Sequence, residues 1–426
     1  MNSIIINYKK NKDINYKINI SGSKSESNRL LIIKKLFNKK NNIKLLNLSN
    51  SRDTKIMIKN LNSKKKLLNI KDAGTVMRFL ISYFVIKKNS NIILTGSSRM
   101  KKRPIFNLVE SLKKIGAKIK YKNKIGYPPI KIKSSKIKKN KIYINTNISS
   151  QYITSLLLIS YKLKKGLKIY LKDKITSLSY IDMTIKILKK LKINVKKKKK
   201  IIIKYKKKLN IKKYFIESDW SSASYYYSII SLLNNITFIL TSFKKKSLQG
   251  DNIIYKIYNE YFGVNTKFNK NKIIIKKNKN FKYPKYIKIN LKSTPDIAQT
   301  IILTCSELKI KCFLKGLKTL NIKETNRLKA LKKELKKNGT ITKIDSESIK
   351  IIKFKKIKKK NIFIKTYKDH RMAMSFSILA INNKNVIIEN PNTVNKSYPN
   401  FWKDLKKIGF IKKLIYKKFF FFKKKI

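Results

Sequence analysis

Cysteine, histidine and acidic residues are scarce in this chain. Only two cysteines occur, Cys305 and Cys312, both in one apolar segment. That is neither a disulfide framework nor a metal-ligand spacing, so both read as core residues in a reducing compartment. The single histidine, His370, cannot support a multi-histidine metal site. No apolar run reaches the length needed to cross a bilayer. The opening IIINYKK is too short for the apolar segment of a secretory signal, so a cytoplasmic protein is expected. No low-complexity linker is present, only lysine runs at Lys196–Lys200 and Lys355–Lys360 that read as solvated loops or strand ends.

Acids are outnumbered: 20 Asp+Glu stand against 106 Lys+Arg, a formal net charge of +86. Such a charge ordinarily suggests a nucleic-acid or anionic-membrane partner. Here the lysines are spread along the whole chain, in company with abundant Ile, Asn, Tyr and Phe. These are the residues of AT-rich codons, so compositional drift explains the charge, and neither nucleic acid nor membrane is expected as a partner. Self-repulsion should still weaken the fold and make it salt-sensitive.

With 426 residues and 42% hydrophobic content, the chain can build two ordinary domains. Short β-branched runs such as Ile92–Thr95, Leu167–Leu171 and Lys311–Leu314 alternate with longer helical stretches such as Ile105–Ile115, Ile181–Leu191 and Glu324–Asn338. That alternation predicts an α/β or α+β fold. Gly116, Gly263, Gly339 and Gly409 each follow a helix and read as C-terminal caps.

The stretch Ser21–Leu31, SGSKSESNRLL, joins an extended opening to an apolar helix. A small-residue loop before a helix frees backbone N–H groups, and Lys24 and Arg29 add full positive charge: an anion cradle. The same device recurs at Asp72, Ser149, Ser221, Ser293 and Lys368, several at a spacing of roughly 70–80 residues, which predicts a repeated subdomain. In KETNRL, Lys323 and Arg327 are four apart and are expected on one helix face, with Glu324 beside them as a candidate acid or base. Asp296 is expected just inside a helix start, Asp369 as a cap, and Arg371 near another helix start. The best boundary between lobes is expected near Glu217–Asp219.

Taken in order, GSKSESNR, DAGTVMRFL, LTGSSRMKKRPI, SSQYITSLLL, SYIDMTI, SDWSSASYYYS, LQGD, PDIAQT, KETNRL, KDHRMAMSFS and KSYPNFW resemble the 5-enolpyruvylshikimate-3-phosphate synthase family of enolpyruvyl transferases. The resemblance implies two similar lobes, each of three βαβαββ-type units, with helix N-termini aimed into the cleft between them. Residues 21–218 would form one lobe and 219–426 the other, the latter also taking the opening strand 1–20. It implies transfer of the enolpyruvyl group of phosphoenolpyruvate to the 5-hydroxyl of shikimate 3-phosphate, in the route to chorismate and aromatic amino acids. Asp296 and Glu324, assisted by Lys24, would move the protons. Lys24, Gly74, Arg103, Gln151, Arg327, Arg371 and Lys396 would hold phosphoenolpyruvate. Lys24, Ser25, Arg29, Ser149, Ser150, Gln151, Ser177, Tyr180, Asp296 and Lys323 would hold shikimate 3-phosphate. No cofactor or metal is implied, and a monomer is expected.

The sister transferase acting on UDP-N-acetylglucosamine uses a loop cysteine in the segment corresponding to Arg99–Pro104, where this chain has none. A basic nucleic-acid-binding protein would need a reader motif and clustered charge, and a decayed relic would not be expected to keep every matched site residue. The chain departs from the family's usual residues at Asp72, Phe79, Lys102, Thr319 and Asn326. Asp72 is expected either to pair with Lys102 or Arg103, or to cap the helix that follows.

Overall fold

The structure is a computed structural model, and it describes residues 2–10, 14–37, 43–145, 150–172, 178–357 and 361–415. The chain divides into two compact units. One comprises Gly22–Glu217 with Leu248–Gly250; the other comprises Met1–Ser21, Ser218–Ser247 and Asp251–Ile426.

One strand order recurs. In the Gly22–Glu217 unit, Leu67–Asn69 pairs parallel with Asn91–Thr95, the helix Gly74–Ile86 lying between them in sequence. Ile130–Lys133 then adds antiparallel to Asn91–Thr95, and Lys118–Tyr121 antiparallel to Ile130–Lys133. The sheet built on Lys141–Asn145 and Leu167–Lys172 repeats this order, with Ser150–Ser160 as its crossover helix. A third, shortened member is the parallel pair Lys44–Leu46 with Lys213–Phe215.

The other unit has three four-stranded sheets of the same order. Their parallel pairs are Asn15–Ile18 with Thr237–Thr241, Tyr286–Asn290 with Lys311–Lys315, and Ile362–Ile364 with Val386–Glu389. The last sheet takes its third strand from the far end of the sequence. Ser3–Tyr8 lies between Val386–Glu389 and Phe410–Ile415, antiparallel to both.

The crossover helices are buried almost all round, which explains why they carry small and apolar residues rather than one apolar stripe. In Gly74–Ile86 the buried residues run from Val76 through Val85, and in Ala298–Glu307 every residue is buried. Hydroxyls on these helices satisfy one another where they cross. Ser82 and Ser155 share a hydrogen bond of 2.7 Å, Ser224 and Thr300 one of 3.0 Å, and Ser228 and Thr304 one of 2.6 Å. Because the helices pack along their lengths, their starts come together at one end of each unit.

Gly263 caps its helix in the left-handed conformation, and Gly116, Gly339 and Gly409 also take positive φ just past their helices. Gly22 is required for a different reason: a Cβ there would lie 1.7 Å from the Asn47 carbonyl oxygen. No helix among the described residues is long and apolar enough to cross a membrane.

Candidate active site

In the Gly22–Glu217 unit, Lys24 is the first residue of the helix Lys24–Leu36, whose N-cap Ser23 accepts the Glu26 N–H. Lys24 Nζ lies 3.4 Å from Asp53 Oδ2. Arg29 is buried one turn further on. Its Nε donates to Thr184 Oγ1 (2.8 Å), Nη1 to the Ser25 carbonyl (2.6 Å) and Nη2 to the Tyr180 carbonyl (3.2 Å). Its guanidinium carbon sits 5.5 Å from the centre of the Phe79 ring. Burial lowers its pKa to about 10, which leaves it charged at neutral pH. Ser25, Arg29 and Tyr180 therefore belong to one small network.

The starts of the helices Gly74–Ile86 and Ser150–Ser160 meet where Gln151 Nε2 donates to Thr75 Oγ1 at 3.2 Å. Gly74 lies under two guanidinium groups. A Cβ built on it would be 2.3 Å from Arg103 Nη1 and 2.8 Å from Arg78 Nη1. Arg78 is pinned by the Gly74 and Pro104 carbonyls at 3.0 and 2.9 Å. Arg52 lies against Asp72 at 2.7 Å, a pairing not expected from the sequence. Nor is Asp72 the cap: the N-cap of Gly74–Ile86 is Ala73, which supplies no side-chain cap. Ser150 is buried at its helix start. Ser149 and Ser177, also expected at the site, lie outside the described residues.

The other unit centres on Arg327. Its Nε lies 2.7 Å from Asp369 Oδ2, Nη1 2.9 Å from Asp296 Oδ1 and Nη2 2.9 Å from Glu324 Oε2. Nη2 also donates to Asp369 Oδ1 at 3.3 Å. Three carboxylates drive the guanidinium pKa upward although burial, the largest influence, opposes them. Lys323 Nζ approaches Asp296 Oδ1 at 3.4 Å, and Lys396 Nζ approaches Glu324 Oε1 at 3.8 Å. Burial lowers the Lys323 pKa, with Asp296 pulling the other way. Arg371 Nη1 donates to the Asp296 carbonyl at 3.0 Å, and Nη2 to Ser221 Oγ at 3.3 Å. Asp369 caps its helix, accepting the Arg371 N–H at 2.8 Å.

One geometric expectation needs correcting. The helix begins at Arg327, with Asn326 as the N-cap accepting the Lys329 N–H at 3.1 Å. Lys323 and Glu324 precede it, so they reach Asp296 and Arg327 from a non-helical segment, not from a shared helix face. Asn326 caps as well as Asp would, which makes that departure from the family harmless to the helix. Asp296 sits in a short turn, Pro295–Ile297, directly ahead of Ala298–Glu307.

The structure thus gathers Asp296, Lys323, Glu324, Arg327, Arg371 and Lys396 in one unit, and groups Lys24 with Asp53, Arg29 with Ser25 and Tyr180, and Gly74 with Arg103 in the other. It adds Arg52, Asp53 and Arg78, none of which was given a role on sequence alone, and it brings Ser221, expected only as a helix start, against Arg371. Short capped helix starts marked most of these segments, but their partners are distant in sequence. Chemically, carboxylates held among fixed cations can exchange protons with a bound anion without leaving charge unbalanced.

The family model for EPSP synthase (3-phosphoshikimate 1-carboxyvinyltransferase) matches residues 58–405. A 3-phosphoshikimate 1-carboxyvinyltransferase from Bacteroides fragilis strain YCH46 is 37% identical over 395 residues, covering 92% of this chain and 95% of that protein. One from Buchnera aphidicola subsp. Cinara cedri is 37% identical over 418 residues, covering 91% and 93%. Among solved structures, the EPSP synthase of Acinetobacter baumannii superposes with a TM-score of 0.74 at 19% identity, covering 98% of this chain and all of that one, which shows the fold.

Proposed function

The chain belongs to the EPSP synthase family, and on that premise we propose that it transfers the carboxyvinyl group of phosphoenolpyruvate to the 5-hydroxyl of shikimate 3-phosphate. The products are 5-enolpyruvylshikimate 3-phosphate and inorganic phosphate. The observation that carries this reading is the buried Arg327 cluster, in which Asp296 and Glu324 share one guanidinium. Addition needs one group to accept the hydroxyl proton while another protonates the terminal enol carbon. Asp296 takes the first role and Glu324 the second, with Lys24 assisting. The C–O bond formed gives a tetrahedral intermediate. Elimination then breaks the bond to the phosphate oxygen and returns a proton from the methyl carbon to the site.

Both substrates are polyanions, so cations and helix N-termini suit them. Arg327, Arg371, Lys396, Arg103, Lys24 and Gln151, with the Gly74 backbone, hold phosphoenolpyruvate. Lys24, Ser25, Arg29, Ser149, Ser150, Gln151, Ser177, Tyr180, Asp296 and Lys323 hold shikimate 3-phosphate. A monomeric cytoplasmic enzyme of aromatic amino acid biosynthesis goes with this reading, and the free, buried Cys305 and Cys312 suit a reducing compartment.

The test is phosphate release from phosphoenolpyruvate, assayed in parallel with shikimate 3-phosphate and with UDP-N-acetylglucosamine. Release with the first acceptor alone is the expected result. Release with the second, or with neither, overturns the reading.

A further inference from the structure

Asp251 is a buried carboxylate to which the mechanism above assigns no task. It is the second residue of the short turn Gly250–Ile253 that leads into the helix Ile254–Phe262. Ser221 Oγ donates a hydrogen bond to Asp251 Oδ2. The same Ser221 oxygen accepts Arg371 Nη2 at 3.3 Å. Ser221 is half-buried, near the start of a helix whose next ten residues are buried. Arg371 is held from its other side by the Asp296 carbonyl.

We propose that Asp251 and Ser221 form a positioning arm that sets the orientation of the Arg371 guanidinium toward phosphoenolpyruvate. The inference rests on the reading of Arg371 given above and names two positioning residues for the same reaction. The chemistry is directional. A serine oxygen offers its lone pairs to a guanidinium best when its own hydrogen points elsewhere, and Asp251 takes that hydrogen. With Nη1 on the Asp296 carbonyl and Nη2 on Ser221, these two hydrogen bonds fix the plane of the guanidinium, while the Asp296 carboxylate, 3.6 Å from Nη2, adds charge but no hydrogen bond.

A buried carboxylate is costly, so its retention beside a proposed anion site has a physical reason if it serves that cation. The groups acting on Asp251 agree with this. Burial is the main influence, raising its pKa to about 6; Asp296 and Asp219 push the same way, while Arg371 and the Ser221 hydrogen bond oppose them. Arg371 and Asp251 therefore feel each other's charge directly, and both meet at Ser221 Oγ.

Two readouts test the arm. The first needs no turnover: the titration of Asp251, followed by NMR of carboxyl-labelled aspartate and assigned with Asp251→Asn. The proposal expects Arg371→Ala to move the midpoint upward, and an unchanged midpoint overturns it. The second is steady-state kinetics of Ser221→Ala, Asp251→Ala and the double variant. Each single change should raise KM for phosphoenolpyruvate about tenfold, the scale of one lost hydrogen bond to a charged group, and leave KM for shikimate 3-phosphate unchanged.

The double variant should be no worse than the poorer single one, and Ser221→Thr, which keeps the hydroxyl, should restore wild-type behaviour. Additive losses, a change in the shikimate 3-phosphate KM instead, or no loss in variants whose circular dichroism matches wild type would overturn the arm. Should the functional reading itself fail, wild type releases no phosphate from phosphoenolpyruvate, and the titration still decides whether the coupling exists.

Discussion

Arg52 Nη2 lies 2.7 Å from Asp72 Oδ1, and that pair decides what the loop before Gly74 offers an anion. A lone carboxylate at Asp72 would repel an anion at the Gly74 backbone and Arg103, where the proposed function puts phosphoenolpyruvate. With Arg52 against it the loop is close to neutral. Both side chains are partly exposed, so the pair adds little to stability; under the proposed function its effect is expected on binding. Arg52→Ala is expected to weaken phosphoenolpyruvate binding, and Asp72→Asn made in the same chain to recover most of the loss. A double-mutant cycle should show coupling of roughly 0.5–3 kcal/mol in affinity. Strict additivity would show that the pair plays no part in binding.

Glu324→Gln and Asp296→Asn are each expected to lower turnover by roughly 100-fold or more, the scale of a lost general acid or base. Both amides keep an oxygen that can accept from Arg327, so the thermal midpoint should move much less than the rate. Full activity in either variant would remove that residue from the chemistry.

Asp369 is fully buried and receives two hydrogen bonds from the equally buried Arg327. Removing one partner of a buried pair leaves an uncompensated charge, so Asp369→Ala should cost about 3–5 kcal/mol of stability, read from urea unfolding. The same change also strips the helix His370–Phe376 of its cap. A loss below 1 kcal/mol would mean that Asp296 and Glu324 neutralise Arg327 without help.

Stability should depend on pH through Asp251, whose pKa is raised from 3.8 to about 6 by burial above all. Between those values the folded chain binds a proton that the unfolded chain has released. The associated stability is full below about pH 4 and is lost as pH rises through about 6. At about 1.4 kcal/mol per pKa unit, the loss from this group is on the order of 3 kcal/mol. Comparing urea midpoints of wild type and Asp251→Asn from pH 4.5 to 7.5 isolates it: the difference should grow in favour of the variant as pH rises. A pH-independent difference would contradict the assignment.

Much of this architecture could be read in advance because its signals are local. Ser23, Ser51 and Asp219 cap helices, and the apolar runs behind them give the helices away. Strands of three residues, such as Leu67–Asn69 and Lys213–Phe215, are too short to show a period and escaped notice. The error at Glu324 is also local: KETNRL reads as helical throughout, yet the Asn326 side chain accepts the Lys329 N–H and starts the helix three residues later than expected. The pairs Arg52–Asp72 and Ser221–Asp251 span 20 and 30 residues. No spacing rule links such positions, because the folded helices bring them together.

The strand Ser3–Tyr8 can pair only after the intervening residues 9–385 have been made, because both its partners, Val386–Glu389 and Phe410–Ile415, follow that stretch. At elongation speeds of about 5–20 residues per second, it waits on the order of 20–80 seconds with both edges unpaired. Its Ile4-Ile5-Ile6 core would be adhesive during that wait.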